Sequence, residues 1–296
     1  MKNTILLFSA LLLMPVLAKG ATTGAEFLEI GTDARLGAMG SAGAAAAGGI
    51  NALAYNPAGL TAVNSAELLF SHSNWLMGSR HDYIGIGLPA LKGGLGIGVT
   101  RLSNGSMEGR GADGSLTGGY SAYDQAVSVG YGYGGFGMAV KYIQSSIAGS
   151  HAQALAVDLG ARGKLRALPV TLGLGVRNLG SGIKYLSQRD NLPLSVAAGA
   201  SADIVAGIGL SVEVERMVYD KRTVISAGTE YAVMRGDDLG FALRGGYGLA
   251  GSVGQSSGAG FSFGGGLRAL GARLDYAVTP QTGLGSVQRI TLEKKF

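Results

Sequence analysis

From residue 66 onward, large apolar side chains recur at every second position. Phe136, Met138, Val140 and Tyr142 alternate with Gly137, Ala139 and Lys141. Val170, Leu172, Leu174 and Val176 alternate with Thr171, Gly173, Gly175 and Arg177, and Ile208, Leu210, Val212 and Val214 with Gly209, Ser211, Glu213 and Glu215. Phe241, Leu243 and Tyr247 do the same against Ala242, Arg244, Gly246 and Gly248. A period of two puts one set on each face of a strand. The second face is mostly glycine, alanine and serine, with single charges such as Asp124, Asp158, Arg162, Glu230, Arg268 and Asp275. Such a face cannot fill a core, and glycine is costly in a strand. The pattern fits a wall whose bulky face meets lipid and whose small face lines a lumen into which another part of the chain fits.

The expected fold is all-β, a transmembrane antiparallel barrel over 66–296. Strands are expected at 66–76, 80–89, 94–103, 121–132, 136–146, 153–163, 169–179, 192–204, 207–217, 222–235, 239–250, 259–269, 272–278 and 286–296. That is about fourteen, an even number in the range of single-chain bacterial barrels. The connections tend to alternate in length. Longer ones are expected at 104–120, 147–152, 180–191, 251–258 and 279–285, and tight ones at Leu91-Lys92-Gly93, Tyr133-Gly134-Gly135, Val205-Ala206, Gly236-Asp237-Asp238 and Leu270-Gly271. The links at 77–79 and 218–221 are short although they fall on the long side. An even count places both chain ends at the short-turn, periplasmic end.

The N-terminus reads as a secretory leader. Lys2 gives a short basic start, 5–17 is an apolar run, and Ala18-Lys19-Gly20 supplies the small residues of a cleavage site before Ala21, so 1–20 is expected to be removed. The last strand carries Ile290, Leu292 and Phe296 on one face, and an aromatic end resembles the targeting signal of bacterial outer-membrane barrels, with Lys294 where an apolar residue is usual. Outer-membrane lipid and the barrel-assembly machinery are the partners this implies. The 296 residues include 53 glycines and no cysteine, which fits an exported protein without disulfides. A net charge of +5 is carried by scattered basic residues with no run of three, so no nucleic-acid partner is indicated.

Between leader and wall, 27–60 is different from everything after it. It has seven glycines, a four-alanine run and few large side chains, so it cannot build a core alone. It ends at Asn56-Pro57-Ala58-Gly59, in which Pro57 fixes its own φ and pushes Asn56 out of the helical region. Residues 21–65 are therefore expected to form a small hatch inside the barrel.

The order of this segment resembles a known family. Phe27-Leu28-Glu29-Ile30-Gly31, then Ala34-Arg35-Leu36-Gly37-Ala38-Met39-Gly40, Ala47, Ala52 and Asn56-Pro57-Ala58-Gly59-Leu60, is similar to the N-terminal signature of the FadL-like outer-membrane proteins. The likeness is greatest to their shorter PorV/PorQ branch. It makes Arg35, Gly37, Met39, Gly40, Asn56, Pro57, Ala58 and Gly59 the hatch motif, and it departs from the usual pattern at Gly48-Gly49, where the family shows a pair of acidic residues. The resemblance implies a fourteen-stranded barrel plugged by the hatch, working as a passive channel or carrier for small hydrophobic molecules. The alternative it implies is a barrel that docks or shuttles secreted proteins in type IX secretion. A transporter should have a continuous, largely apolar path past the hatch; a docking barrel should be sealed, with apolar side chains exposed on its outer loops.

Candidate chemistry changes this picture little. Arg177, Glu213, Glu215, Glu230, Arg244, Arg268 and Arg273 are expected to face the lumen, either as a selectivity feature or paired with each other and with Asp33, Arg35 and Asn56 of the hatch. Pairing is favoured, because charges inside a barrel must be solvated or matched. Gly130-Tyr131-Gly132-Tyr133-Gly134-Gly135 and Gly246-Tyr247-Gly248-Leu249-Ala250-Gly251 match a nucleotide-binding string, but neither opens a helix. His72, His81 and Asp82 lie near one hairpin with Ser71 and Ser73. His81 could face Trp75, and nothing in the sequence places a serine against either histidine, so no hydrolase, cofactor or metal is expected.

Overall fold

A computed structural model of the chain describes residues 22–185, 187–235, 239–249, 260–281 and 284–296. The leader expected at 1–20, the connection at 251–258 and the turn at 236–238 lie outside the described residues. Sixteen strands follow one another: β1 (Glu67–Asn74), β2 (Arg80–Ala90), β3 (Gly93–Arg110), β4 (Leu116–Tyr133), β5 (Phe136–Ile147), β6 (Ser150–Lys164), β7 (Val170–Gly180), β8 (Ile183–Tyr185), β9 (Gln188–Asp190), β10 (Ser195–Val205), β11 (Ile208–Met217), β12 (Arg222–Arg235), β13 (Leu239–Leu249), β14 (Gly260–Ala269), β15 (Ala272–Gln281) and β16 (Gly285–Lys295). Fourteen close into a single antiparallel barrel, while β8 and β9 form a small hairpin of their own. Closure is by β1 against β16, with Glu67 opposite Lys295 and Asn74 opposite Gln288, which leaves the barrel without an edge.

The alternation read from the sequence is the alternation of the wall. Val212 is 54% exposed and its neighbour Ser211 only 2%. Outward positions run apolar in cross-strand register, as in the row Phe70, Ile84, Val99, Val127, Tyr142 and Leu155. Each of these is at least 39% exposed. A monomer in water could not carry so continuous an apolar exterior, and a barrel is one of the two structures that satisfies every backbone group in hydrocarbon.

Three connections expected to be long are tight. The stretch 104–120 is mostly strand, because β3 and β4 continue their pairing to Arg110 and Leu116. Likewise β5 and β6 meet across Ala148 and Gly149, and β15 runs on to Gln281. Hydrogen bonding continues here beyond the apolar band, where both faces meet water and the period of two fades from the sequence. Part of 180–191 is the β8–β9 hairpin, too short to show periodicity.

The hatch spans 22–63 and threads the lumen. Short turns carry it: 3-10 turns at Glu26–Glu29, Gly49–Asn51 and Pro57–Ala62, and the helices α1 (Ala34–Ala38) and α2 (Ala52–Tyr55). Its C-terminal part enters β1 at the short-turn end, where the backbone N–H of Phe296 also meets Ala66. Its first described residues are at the opposite end. Thr22 donates to Asp220 in the β11–β12 connection at 2.9 Å, and Gly24 to the Asn191 carbonyl at 2.8 Å. The two ends of the barrel sheet therefore share the short-turn end as expected, but the first described residues of the hatch lie at the long-loop end.

Candidate functional site: the lumen and its hatch

The glycines of the inner face are the seat of the hatch. A Cβ on Gly228 or Gly246 would fall inside the backbone of Met39, one on Gly173 inside Ala44, and one on Gly137 inside Pro57 and Ala58. Lower in the lumen, Gly85 and Gly96 face Ile50 and Leu60. The wall gives up side chains so that the hatch backbone can touch it, which explains the otherwise costly glycine content of these strands.

Each element of the N-terminal motif has a place in this fit. Asp33 caps α1, accepting from the Arg35 N–H at 3.0 Å. Arg35 then reaches the wall with a two-pronged bond to Glu230, Nε at 2.8 Å and Nη2 at 2.9 Å. Burial alone would lower the pKa of Arg35, but the hydrogen bonds and charge of Glu230 outweigh it and hold the guanidinium above its ordinary value. Gly37 leaves room for the Arg289 guanidinium. Gly40 adopts φ +69 and donates to Ser262 at 3.1 Å.

Asn56 is fully buried and caps the turn Pro57–Ala62, accepting from the Ala58 N–H at 3.1 Å. Its amide meets the Ala44 carbonyl of the hatch at 2.7 Å and the wall carbonyls of Ala161 and Leu174, both at 3.2 Å. Pro57 takes the first position of the turn, where its missing N–H costs nothing. Ala58 is fully buried. Gly59 packs so close to the Ala47 carbonyl and the Ala52 methyl that a Cβ would lie 2.6 Å from each.

The departure at Gly48-Gly49 has a local cause. Gly49 has φ +71, and a Cβ there would meet the Glu67 carboxylate at 2.5 Å. That carboxylate accepts from the Ile50 N–H at 2.7 Å. An acidic side chain at 49 would collide with it and repel it.

The lumen charges form two groups. In the first, signs alternate along a chain that begins and ends in the hatch. Arg35 meets Glu230, Glu230 meets Arg244 at 2.5 Å, Arg244 meets Asp275 at 2.8 Å, and Arg273 joins Asp275 at 2.7 Å to Glu293 at 2.6 Å. Glu293 returns to the hatch through Asn51 at 3.3 Å. In the second group Arg177 pairs with Glu215 and lies 3.8 Å from Glu213, which accepts from the Ala44 N–H at 2.6 Å. Lys141 and Asp158 pair at 2.6 Å beside a bulge at Asn178. Arg268 differs: it is exposed at the short-turn mouth with no ion pair among the described residues.

Sequence reasoning missed Glu67, Lys141, Glu293 and Lys295 as partners. Their signal was parity alone: Lys141 alternates with Val140 and Tyr142, Glu293 and Lys295 with Ile290 and Leu292, and Glu67 with Leu68 and Phe70. His81 faces inward opposite Ser73, not Trp75, and is 1% exposed. His72 pairs with Asp82 on the outer wall at 2.6 Å. That hairpin brings no serine to the His72–Asp82 pair. Among the described residues no cluster of three acidic or histidine side chains could hold a metal.

Beside the hatch, on its long-loop side, lies a slender cavity with about 50 Å³ of space for water-sized bodies. Its lining includes Phe27, Ile30, Leu53 and Tyr83 together with Lys141, Arg177, Ser195 and Glu215. Above it Phe27 and Ile30 pack with Trp75, Leu76, Ile183 and Leu192 into a small core that roofs the lumen. A cavity that holds a benzene is about 150 Å³, so this cavity is too small for a molecule of that size.

Several solved structures share this fold. The toluene transporter TodX of Pseudomonas putida superposes with a TM-score of 0.59 at 14% identity, covering 89% of this chain and 97% of its own. The monoaromatic hydrocarbon channel CymD gives 0.60 at 13%, covering 90% and 98%. The toluene transporter TbuX of Ralstonia pickettii gives 0.55 at 12%, covering 91% and 99%. The fold is the one these proteins share. No family model matches the sequence, and neither does any curated protein, so at these identities the likeness concerns the fold alone. Nothing in it points specifically to the PorV/PorQ branch.

Proposed function

We propose that this protein is a passive outer-membrane channel or carrier for small hydrophobic molecules. The observation that carries the reading is the hatch: it fills the lumen, is tied to the wall by polar bonds, and leaves beside it a cavity whose lining includes Phe27, Ile30, Leu53 and Tyr83. Most of the charges inside are paired with one another rather than displayed, which argues against an ion-selective pore. The proteins sharing the fold are described as toluene transporters and hydrocarbon channels, and the N-terminal motifs support the same reading. Passage requires the roof formed by Phe27 and Ile30 to move, because the resting cavity is several times too small.

The test is uptake of radiolabelled toluene into proteoliposomes. The full chain should accelerate uptake over protein-free vesicles, and Phe27→Ala, which opens the roof, should raise the initial rate. Uptake equal to that of empty vesicles removes the channel reading. A second reading, a barrel that docks secreted proteins, has one observation in its favour: the shut lumen coexists with bare apolar loop tips, Met77 at 93% and Leu116 at 65% exposure. In that case uptake is absent, and Met77→Asp weakens capture of an exported partner.

A further inference from the structure

On the outer wall of β1 to β4 the apolar rows end abruptly at the long-loop side. Above Phe70, Ile84, Val99 and Val127 the next outward positions are His72, Asp82, Arg101 and Gln125, directly opposite one another in register. This is where the wall passes from hydrocarbon to headgroup. Asp82 is engaged by His72 at 2.6 Å. Arg101, although opposite Asp82, lies instead over the Tyr123 ring at 4.8 Å, and this face contact leaves its in-plane N–H donors free. Arg80, two residues before Asp82 on the same face, is exposed and has no hydrogen bond or ion pair among the described residues. Diagonal neighbours on one face of a sheet are about 7–8 Å apart, well within the reach of two arginine side chains. The other arginine at this level, Arg216 on β11, is occupied by Thr223 at 3.0 Å.

We propose that Arg80 and Arg101 form a binding site on the outer wall for the phosphate of an anionic lipid headgroup in the leaflet on the long-loop side. Two guanidinium forks offer parallel N–H pairs matched to phosphate oxygens. Tyr123 braces one of them, and the His72–Asp82 pair keeps the intervening carboxylate turned to its own partner. The site is independent of whatever passes through the lumen.

Native mass spectrometry of the full chain in detergent tests this with diphosphorylated lipid A, its dephosphorylated form and inorganic phosphate as probes. Lipid A should bind, and Arg80→Gln/Arg101→Gln should weaken it by about tenfold or more. Arg216→Gln should change nothing, and the dephosphorylated form should bind no better to the native chain than to the variant. The heat-modifiable gel mobility of folded barrels checks that the variant is assembled. If the double variant fails that check, Arg80→Gln alone carries the same comparison, since Arg80 has no partner to lose among the described residues. Equal lipid A affinity of variant and native chain overturns the site, as does tight binding of the dephosphorylated form, which is what interfacial side chains without a phosphate site would give. Displacement of lipid A by equimolar inorganic phosphate would make it a free-anion site and overturn the lipid assignment.

Discussion

At the scale of single residues, Glu230 is the contact between hatch and wall that matters most. It holds Arg35 with both oxygens and Arg244 with one, and its side chain is 16% exposed. Removing one member of a largely buried pair leaves the other uncompensated, whereas removing both is far milder. Glu230→Gln should therefore loosen the seating of α1 by about 2–3 kcal/mol, read as faster hydrogen exchange at the amides of α1 in the folded barrel. The double change Arg35→Leu/Glu230→Leu should restore most of the protection. Protection unaffected by Glu230→Gln would show that the packing of Met39 against Gly228 and Gly246 holds the hatch without the ion pair. In the sequence Glu230 was legible as an inward charge and Arg35 as one of the hatch groups that could meet such charges, but which would meet which was not: the two are 195 positions apart, and only the path of the hatch through the lumen joins them.

At the scale of elements, the strands were legible nearly residue by residue, because lipid on one side and a close-fitting hatch on the other impose opposite demands at alternate positions. Beyond the apolar band that demand ends, and there the reading failed: 104–120 looked like a loop although β3 and β4 stay paired through most of it. The hatch was legible as an insert from its small residues and its Asn-Pro-Ala-Gly end. Its fit was not, since a glycine in a strand does not say which backbone will approach it. Ala45 illustrates the fit. It is 2% exposed, its carbonyl accepts from the Arg162 Nε at 2.9 Å, and its backbone lies against Gly173. Ala45→Trp should cost about 1–3 kcal/mol or more through overpacking, lowering the midpoint of urea unfolding in detergent. Gly173→Ala should add to the loss. A midpoint unchanged by Ala45→Trp would mean that the hatch has spare room at this level.

At the scale of the whole molecule, a lipid-facing barrel is closed by its own N-terminal segment, with polar bonds fixing the plug and a slender cavity beside it that is the proposed entry for small molecules. Wall and hatch could be assigned from the sequence; that the hatch starts at the long-loop end could not, because nothing in 22–26 encodes direction until Asp220 and Asn191 are placed beside it. The claim that the hatch is the plug is tested most directly by single-channel recording in planar bilayers, comparing the full chain with a variant lacking 27–54. The barrel strands pair only with one another, so the shortened chain should still close, and its glycine-lined, charge-bearing lumen should fill with water. The full chain should show almost no ionic current and the deletion a steady open conductance. Identical traces from the two would contradict the account, since a segment whose loss leaves conductance unchanged cannot be what closes the lumen.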